Sequence, residues 1–247
     1  MNQEHVNFYI KNGFVLVKGM VSKEVVEQIR RETQGLHERL AGKSVDGLGI
    51  IWEKIDSGEK IIRQLMGSQN ISPTLRYLSE ESTISRAAER LLGESVELFH
   101  SKLMMKTALK GSFTPWHSDW GYWQTIFKTS KLMNAFLAID SSTVENGCIR
   151  YVPGSHRQYQ EHQVDHNATG FDIGLPGDIN AYNSIAVEME PGDVAFHDAI
   201  CVHGSEANHS PRHRMMNTFA FTVKNNVIEG KEMHFDGQLL KRELLLL

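Results

Sequence analysis

The run GFVLVKG at 13–19 is apolar and bounded by glycines, a pattern that predicts a short strand. Beyond Ser22, whose hydroxyl suits an N-cap, Val25, Val26, Ile29, Leu36 and Leu40 recur at helical spacing until Gly42 stops the run. Ser72-Pro73 opens a second helix. Ser82 opens a third, with Ile84, Ala87, Ala88, Leu91 and Leu92 on one side and Gly93 just past its end. Each helix has one apolar stripe, as expected of helices laid on a sheet. From residue 96 the pattern changes. The stretches 96–109, 133–140, 148–152, 185–189, 193–197 and 215–223 read as strands, separated by turn signals such as Lys110-Gly111, Glu145-Asn146-Gly147, Pro153-Gly154-Ser155 and Pro191-Gly192-Asp193. Short strands at this spacing, with no helices between them, predict an antiparallel sandwich or barrel rather than a βαβ fold. Residues 156–184 lack a clear period and are rich in polar residues and glycine, which makes them a lid candidate. No repeat or linker divides the chain. One domain over 1–247 is therefore expected, with a helical front (1–95), a β core (96–224) and a C-terminal tail (225–247). The leucine-rich end after Lys241 and Arg242 suits a packing segment or an oligomer contact, in a monomer or homodimer.

Composition narrows the function. The 247 residues hold 26 Lys+Arg against 30 Asp+Glu, a net charge of −4, with 40% hydrophobic and 23% charged residues. That balance is globular, and it gives no electrostatic case for binding nucleic acid or an anionic membrane. The polar start at 1–10 does not read as a signal or transit peptide, and no apolar run approaches the ~20 residues of a spanning helix. Two cysteines, Cys148 and Cys201, cannot build a disulfide framework, so reduced thiols in a cytoplasmic protein are expected. The unusual count is 12 histidines, which directs attention to metal binding.

The most informative segment is TPWHSDW at 114–120. On a strand, residues i and i+2 share a face, so His117 and Asp119 would aim at one point. His203, at the end of an apolar strand, is the best third ligand. Two neutral imidazoles and one carboxylate form the facial triad of non-haem Fe(II) oxygenases, with positions left open for a chelating cosubstrate and dioxygen. A His-x-Asp pair alone is commonly a surface hydrogen bond, and His197 and His203 could be satisfied core histidines. His156, His162, His166, His209, His213 and His234 read as solvated or supporting. Arg214 raises the weight of the metal reading. A buried guanidinium needs an anionic partner, and a dicarboxylate cosubstrate provides one; Arg212 is the competing candidate.

These residues resemble the phytanoyl-CoA dioxygenase family of Fe(II)/2-oxoglutarate oxygenases, which includes the ectoine hydroxylases. The matching stretches, in family order, are PWHSDWGYW (115–123), ENGCIRYVPGSHR (145–157), EPGDVAFHDAICVHGS (190–205) and N-x-S-x-x-x-R (208–214). The resemblance implies a mainly β fold, a double-stranded β-helix (jelly roll, cupin-like) with N-terminal helices packed on the sheet. It implies iron at His117, Asp119 and His203, and the distal carboxylate of 2-oxoglutarate at Arg214 beside Ser205. Asn134 falls at another cosubstrate contact, and His100 falls where relatives carry glutamine or methionine. Ser118 departs from the glutamine of many members, and the PGSHR turn is expected to be structural. The implied reaction consumes dioxygen and 2-oxoglutarate, releases succinate and CO2, and hydroxylates an unactivated C–H bond of a small molecule. Asp119 fills the site that halogenating relatives leave for chloride. Desaturation, epoxidation and cyclisation stay open, as do a non-catalytic metal-binding barrel and a zinc hydrolase. Strand alternation puts His100, Lys102, Met104 and Lys106 on one face, where Lys102 or Lys106 could meet an anionic group on substrate. Trp120 and Trp123 are candidate walls beside the metal segment.

Overall fold

The computed structural model describes residues 1–55, 58–80, 82–168, 171–231, 234–235 and 238–239. The leucine-rich end lies outside the described residues. The chain begins with α1 (Gln3–Asn12), where the Asn2 side chain accepts the His5 N–H. Only Tyr9 of this helix is buried, so it carries no apolar stripe to betray it. β1 (Phe14–Val17) follows, then α2 (Lys23–Thr33), capped by the Ser22 hydroxyl. The single helix expected up to Gly42 is broken at Gly35, whose φ of +69° starts the short α3 (Leu36–Leu40). β2 (Gly49–Trp52), β3 (Ile62–Met66), α4 (Pro73–Glu80) and α5 (Thr83–Leu92) complete the front. The front is thus not wholly helical, because its three strands join the main sheet.

The body contains β4 (Val96–Lys106), β5 (Thr114–His117), the single turn α6 (Trp120–Trp123), β6 (Leu132–Ala138), β7 (Ile149–Tyr151), β8 (Gln163–Ala168), β9 (Phe171–Gly174), β10 (Ile185–Val187), β11 (Val194–Asp198), β12 (His203–Ser205) and β13 (Arg214–Val223). A seven-stranded antiparallel sheet has the order β1-β11-β6-β13-β4-β3-β2, and a four-stranded one the order β10-β7-β12-β5. This is a double-stranded β-helix with helices on the outer face of the larger sheet. Among the described residues no helix is long and apolar enough to cross a membrane.

Period-two alternation in the larger sheet separates two cores. Leu103, Met105, Ala135, Leu137, Val194, Phe196, Phe219 and Phe221 face outward and bury the helix stripes of Val26, Ile29, Leu75, Ile84 and Ala88. Met104, Phe136, Ala138, Ala195 and Met216 face inward and meet Ile149, Tyr151 and Val187 of the smaller sheet. The same parity sends Lys102, Lys106, Asn134, His197 and Arg214 inward. Segment 156–184 is not a bare loop, since β8 and β9 pair within it as a hairpin. The polar sequence QVDHNA of β8 hides that strand from any reading by apolar period.

A buried ion pair ties the front to the body. Arg63 Nη1 lies 3.2 Å from Glu53 Oε1, with both side chains almost fully buried. Glu53 also accepts the Ser112 N–H and hydroxyl, and Arg63 donates to the Phe113 carbonyl at 2.7 Å. These bonds fasten the approach to β5. Arg63→Met strands a buried carboxylate and is expected to destabilise the protein by about 3–5 kcal/mol in denaturant unfolding. Charge reversal at the exposed Glu59–Lys110 pair should change stability by less than about 1 kcal/mol.

Candidate metal centre

Strand pairing brings the two imidazoles together. His203 of β12 is the register partner of His117 on the edge strand β5, and their ring centroids are 4.2 Å apart. Asp119 arrives by a different route from the one strand alternation suggests. The chain leaves the strand after His117, and Asp119 takes helical dihedrals (φ −62°, ψ −29°) at the start of α6. That turn swings its carboxylate to the imidazoles, so that one donor atom from each of His117, Asp119 and His203 lies within 4.8 Å of the others. All three side chains are buried.

Hydrogen bonds settle which imidazole nitrogens are available. His117 Nδ1 lies 2.9 Å from the Pro115 carbonyl, and His203 Nδ1 lies 2.9 Å from the Cys201 carbonyl. A carbonyl only accepts, so each Nδ1 carries the proton and each Nε2 offers a lone pair. Burial lowers the His117 pKa to about 4 against the pull of Asp119, and lowers that of His203 well below the ordinary value. Both rings are therefore neutral at physiological pH, the form that binds a metal. Burial alone would raise the Asp119 pKa. His203, a hydrogen bond from His197, and His117 outweigh it and hold the carboxyl far below the usual carboxylate range.

The carboxylate is itself held. Asn134 Nδ2 donates to Asp119 Oδ2 at 2.6 Å, and His197 Nε2 reaches the same oxygen at 3.0 Å. Tyr151 Oη lies 2.9 Å from His197 Nδ1, which completes a buried chain from Tyr151 through His197 to Asp119. The sequence alone allows His197 to be a satisfied core histidine and gives it no role at the site. The signal that could have found it is parity on β11, which turns it inward opposite Asn134.

Beside the triad is a cavity between the sheets, lined by His117, Asp119, His203, Asn134, Lys102, Ser205 and Arg214, with Met104, Phe136, Ile149 and Phe171 as apolar wall. Arg214 is 3% exposed, and among the described residues no carboxylate pairs with it. Its Nη1 donates to the Gly147 carbonyl at 2.6 Å, and its Nε has no partner. Burial pulls its pKa down to about 10, so it stays cationic at neutral pH. Arg212 is the surface arginine, paired with Glu145 at 3.0 Å. Ser205 accepts a hydrogen bond from Lys106 Nζ at 2.8 Å, and Lys106 also donates to the Glu206 carbonyl. Lys102 makes no hydrogen bond or ion pair with any described residue, and burial lowers its pKa.

Three of the candidates lie elsewhere. His100 is buried edge-on against Phe99 and Trp123, outside the cavity wall, with its pKa lowered to about 3 by burial. Trp120 and Trp123 do not line the cavity either. After Asp119 the chain advances by about 100° per residue in α6, which carries them into an apolar cluster with Phe127, Leu132 and Ala199. The former lid candidate is fastened down over the triad. Phe171 packs on the His117 ring at 5.0 Å, the Leu175 N–H donates to the Trp116 carbonyl at 2.7 Å, and the Ser118 N–H donates to His162 Nε2 at 2.9 Å.

Comparison with known proteins agrees with this geometry. Residues 9–216 match the family model described as phytanoyl-CoA dioxygenase (PhyH). An ectoine dioxygenase from Bordetella bronchiseptica is 25% identical over 228 residues, covering 85% of this chain and 72% of that protein. The peroxisomal phytanoyl-CoA dioxygenase of Bos taurus is 27% identical over 226 residues, covering 85% of this chain and 65% of that one. Among solved structures, EctD from S. alaskensis with 2-oxoglutarate and 5-hydroxyectoine superposes with a TM-score of 0.77 at 20% identity, covering 100% of this chain and 86% of that one. The non-heme alpha-ketoglutarate-dependent carbocyclase SnoK from nogalamycin biosynthesis gives 0.72 at 25% identity, covering 90% and 84%.

Proposed function

We propose for this chain, which belongs to the phytanoyl-CoA dioxygenase family and is an Fe(II)- and 2-oxoglutarate-dependent dioxygenase, that His117, Asp119 and His203 hold the iron and that it hydroxylates a C–H bond of a small molecule. One observation carries the reading: two neutral imidazoles and an ionised carboxylate converge in the same cavity as a buried guanidinium that has no carboxylate partner. The donor set suits ferrous iron, and the unpartnered guanidinium suits a dicarboxylate.

When bound, iron and 2-oxoglutarate supply the reduction of dioxygen, with the cosubstrate oxidatively decarboxylated to succinate and CO2. The protein's contribution is position and dryness. The Pro115 and Cys201 carbonyls fix the two imidazoles in one tautomer. Asn134 and His197 hold Asp119 by a single oxygen, Oδ2. Arg214, with Ser205 beside it, orients the cosubstrate through its distal carboxylate. Phe136, Ile149 and Phe171 keep bulk water from the reacting atoms.

The direct test mixes anaerobically purified protein with Fe(II), 2-oxoglutarate and air. Succinate should form, and omitting iron should abolish it; succinate at background in the complete mixture overturns the proposal. The support given by His197 has its own test. His197→Phe keeps the ring volume but removes the hydrogen bond to Asp119, and should weaken metal binding by about 10–100-fold. Anaerobic titration with Fe(II) or Mn(II) reads this, and His197→Gln, which keeps a donor, should recover part of the affinity.

A further inference from the structure

We propose that the substrate of this site is a small carboxylic acid with an apolar body, and that Lys102 is its counter-ion. The inference rests on the iron and 2-oxoglutarate reading above and extends it to the substrate. Its starting point is the supply of charge around the cavity. Two cations, Lys102 and Arg214, line the wall against one carboxylate, Asp119. Nearby cations are already engaged: Arg63 with Glu53, and Lys106 with the Ser205 hydroxyl and the Glu206 carbonyl. Ferrous iron and the 2-oxoglutarate dianion carry equal and opposite charge, so loading them leaves the cavity still one negative charge short. Arg214 is committed to the cosubstrate, and the unmatched charge is therefore that of Lys102.

Position supports the assignment. Lys102 projects inward from β4 of the larger sheet, across the cavity from His117 and His203 on the smaller one, with no hydrogen-bond or ion-pair partner among the described residues. Its register partner on β13 is Thr218, whose buried hydroxyl is also unpartnered. A cation and a hydroxyl without partners, side by side on one sheet, form a site for an anion. The remaining wall is Met104, Phe136, Ile149 and Phe171, which offers hydrocarbon contact to the rest of the molecule. An ammonium acts as a point charge with rotatable donors, so it suits a single carboxylate at the end of such a body.

The test uses matched acids and amides as probes: propionate and benzoate against propionamide and benzamide. Each is titrated into anaerobic protein loaded with Fe(II) and 2-oxoglutarate, and the visible absorption of the loaded site is followed. The acids should perturb the band saturably, with affinity at least about tenfold above the amides, and Lys102→Met should lose that preference. Equal binding of acid and amide, no saturable response to either acid, or an unchanged preference in Lys102→Met overturns the proposal. The band itself, recorded before any probe is added, separates the two levels. Its absence fails the iron and cosubstrate reading, whereas a normal band that ignores the acids fails this inference alone. A second readout needs no metal. Lys102 has no hydrogen bond or ion pair to lose in the empty fold, only a through-space attraction to Asp119 opposed by its own burial. The thermal midpoint of ligand-free Lys102→Met should therefore stay close to or exceed that of wild type. A fall of several degrees would show Lys102 to be a structural partner and overturn its role as counter-ion.

Discussion

Asp119→Ala protein is expected to lose iron-dependent succinate formation by about a thousandfold or more, because a carboxylate bound to a metal contributes several kcal/mol and each 1.36 kcal/mol is a factor of ten in rate. The loss has two sources, and they can be told apart. One is the missing metal ligand. The other is structural: His197 Nε2 and Asn134 Nδ2 both point at Asp119 Oδ2, and alanine leaves two buried donors without an acceptor at about 1–3 kcal/mol each. Asp119→Asn separates them, since its carbonyl oxygen can still accept while the negative charge is gone. Asp119→Asn should therefore unfold close to wild type in denaturant, yet bind Fe(II) poorly and release little succinate. His117→Ala should match Asp119→Ala in activity with a smaller change in stability, because its Nδ1 bonds only a backbone carbonyl. Undiminished succinate release from either alanine variant would remove the triad from the mechanism.

Much of this site could be read from residue order, and the parts that could not have physical reasons. His117, Asp119 and His203 stood out because three residues of ligating type sat at or near strand ends, and the structure brings them together. The strand argument nevertheless misdescribed Asp119, which has already turned into α6. Arg214 and Arg212 have the same parity, so alternation does not separate them; the difference is that β13 begins at Arg214, whereas Arg212 lies in the exposed turn before it and pairs with Glu145. His197 was hidden because a histidine that supports a ligand and one that fills a core share the same sequence context; the distinction is the 3.0 Å contact to Asp119. Trp120 and Trp123 misled through proximity in sequence, since a single helical turn is enough to move a side chain from the cavity to a neighbouring aromatic cluster. Of the front's strands, β1 matches the strand expected at 13–19, whereas β2 and β3 were missed for a different reason. Every residue of β3 is buried, including Arg63 and Gln64, so it shows neither alternation nor an apolar run. A strand covered on both faces and stabilised by the Glu53 pair has no period for a sequence pattern to reveal.

Arg214→Ala should raise the 2-oxoglutarate concentration needed for half-maximal turnover by about a hundredfold, the scale of two lost hydrogen bonds between charged groups. The maximal rate should fall much less, and anaerobic Fe(II) titration should be nearly unchanged, because Arg214 contacts none of the triad in the described hydrogen bonds. This split between cosubstrate affinity and iron affinity distinguishes loss of a carboxylate anchor from general damage to the barrel. Arg214→Lys keeps the charge but not the planar fork, and should fall between wild type and alanine. Arg212→Ala is the internal control. Its partner Glu145 is exposed, and a surface pair of that kind contributes at most about 1 kcal/mol, so its 2-oxoglutarate dependence should match wild type. The asymmetry follows from burial. Arg214 is held inside the barrel with a backbone carbonyl as its hydrogen-bond partner and Nε unpartnered, so a ligand carboxylate placed there gains a desolvated, charge-assisted contact that the exposed Arg212 cannot offer. An unchanged 2-oxoglutarate requirement in Arg214→Ala would transfer the anchoring role to Lys106, which is the register partner of Arg214 and already donates to Ser205.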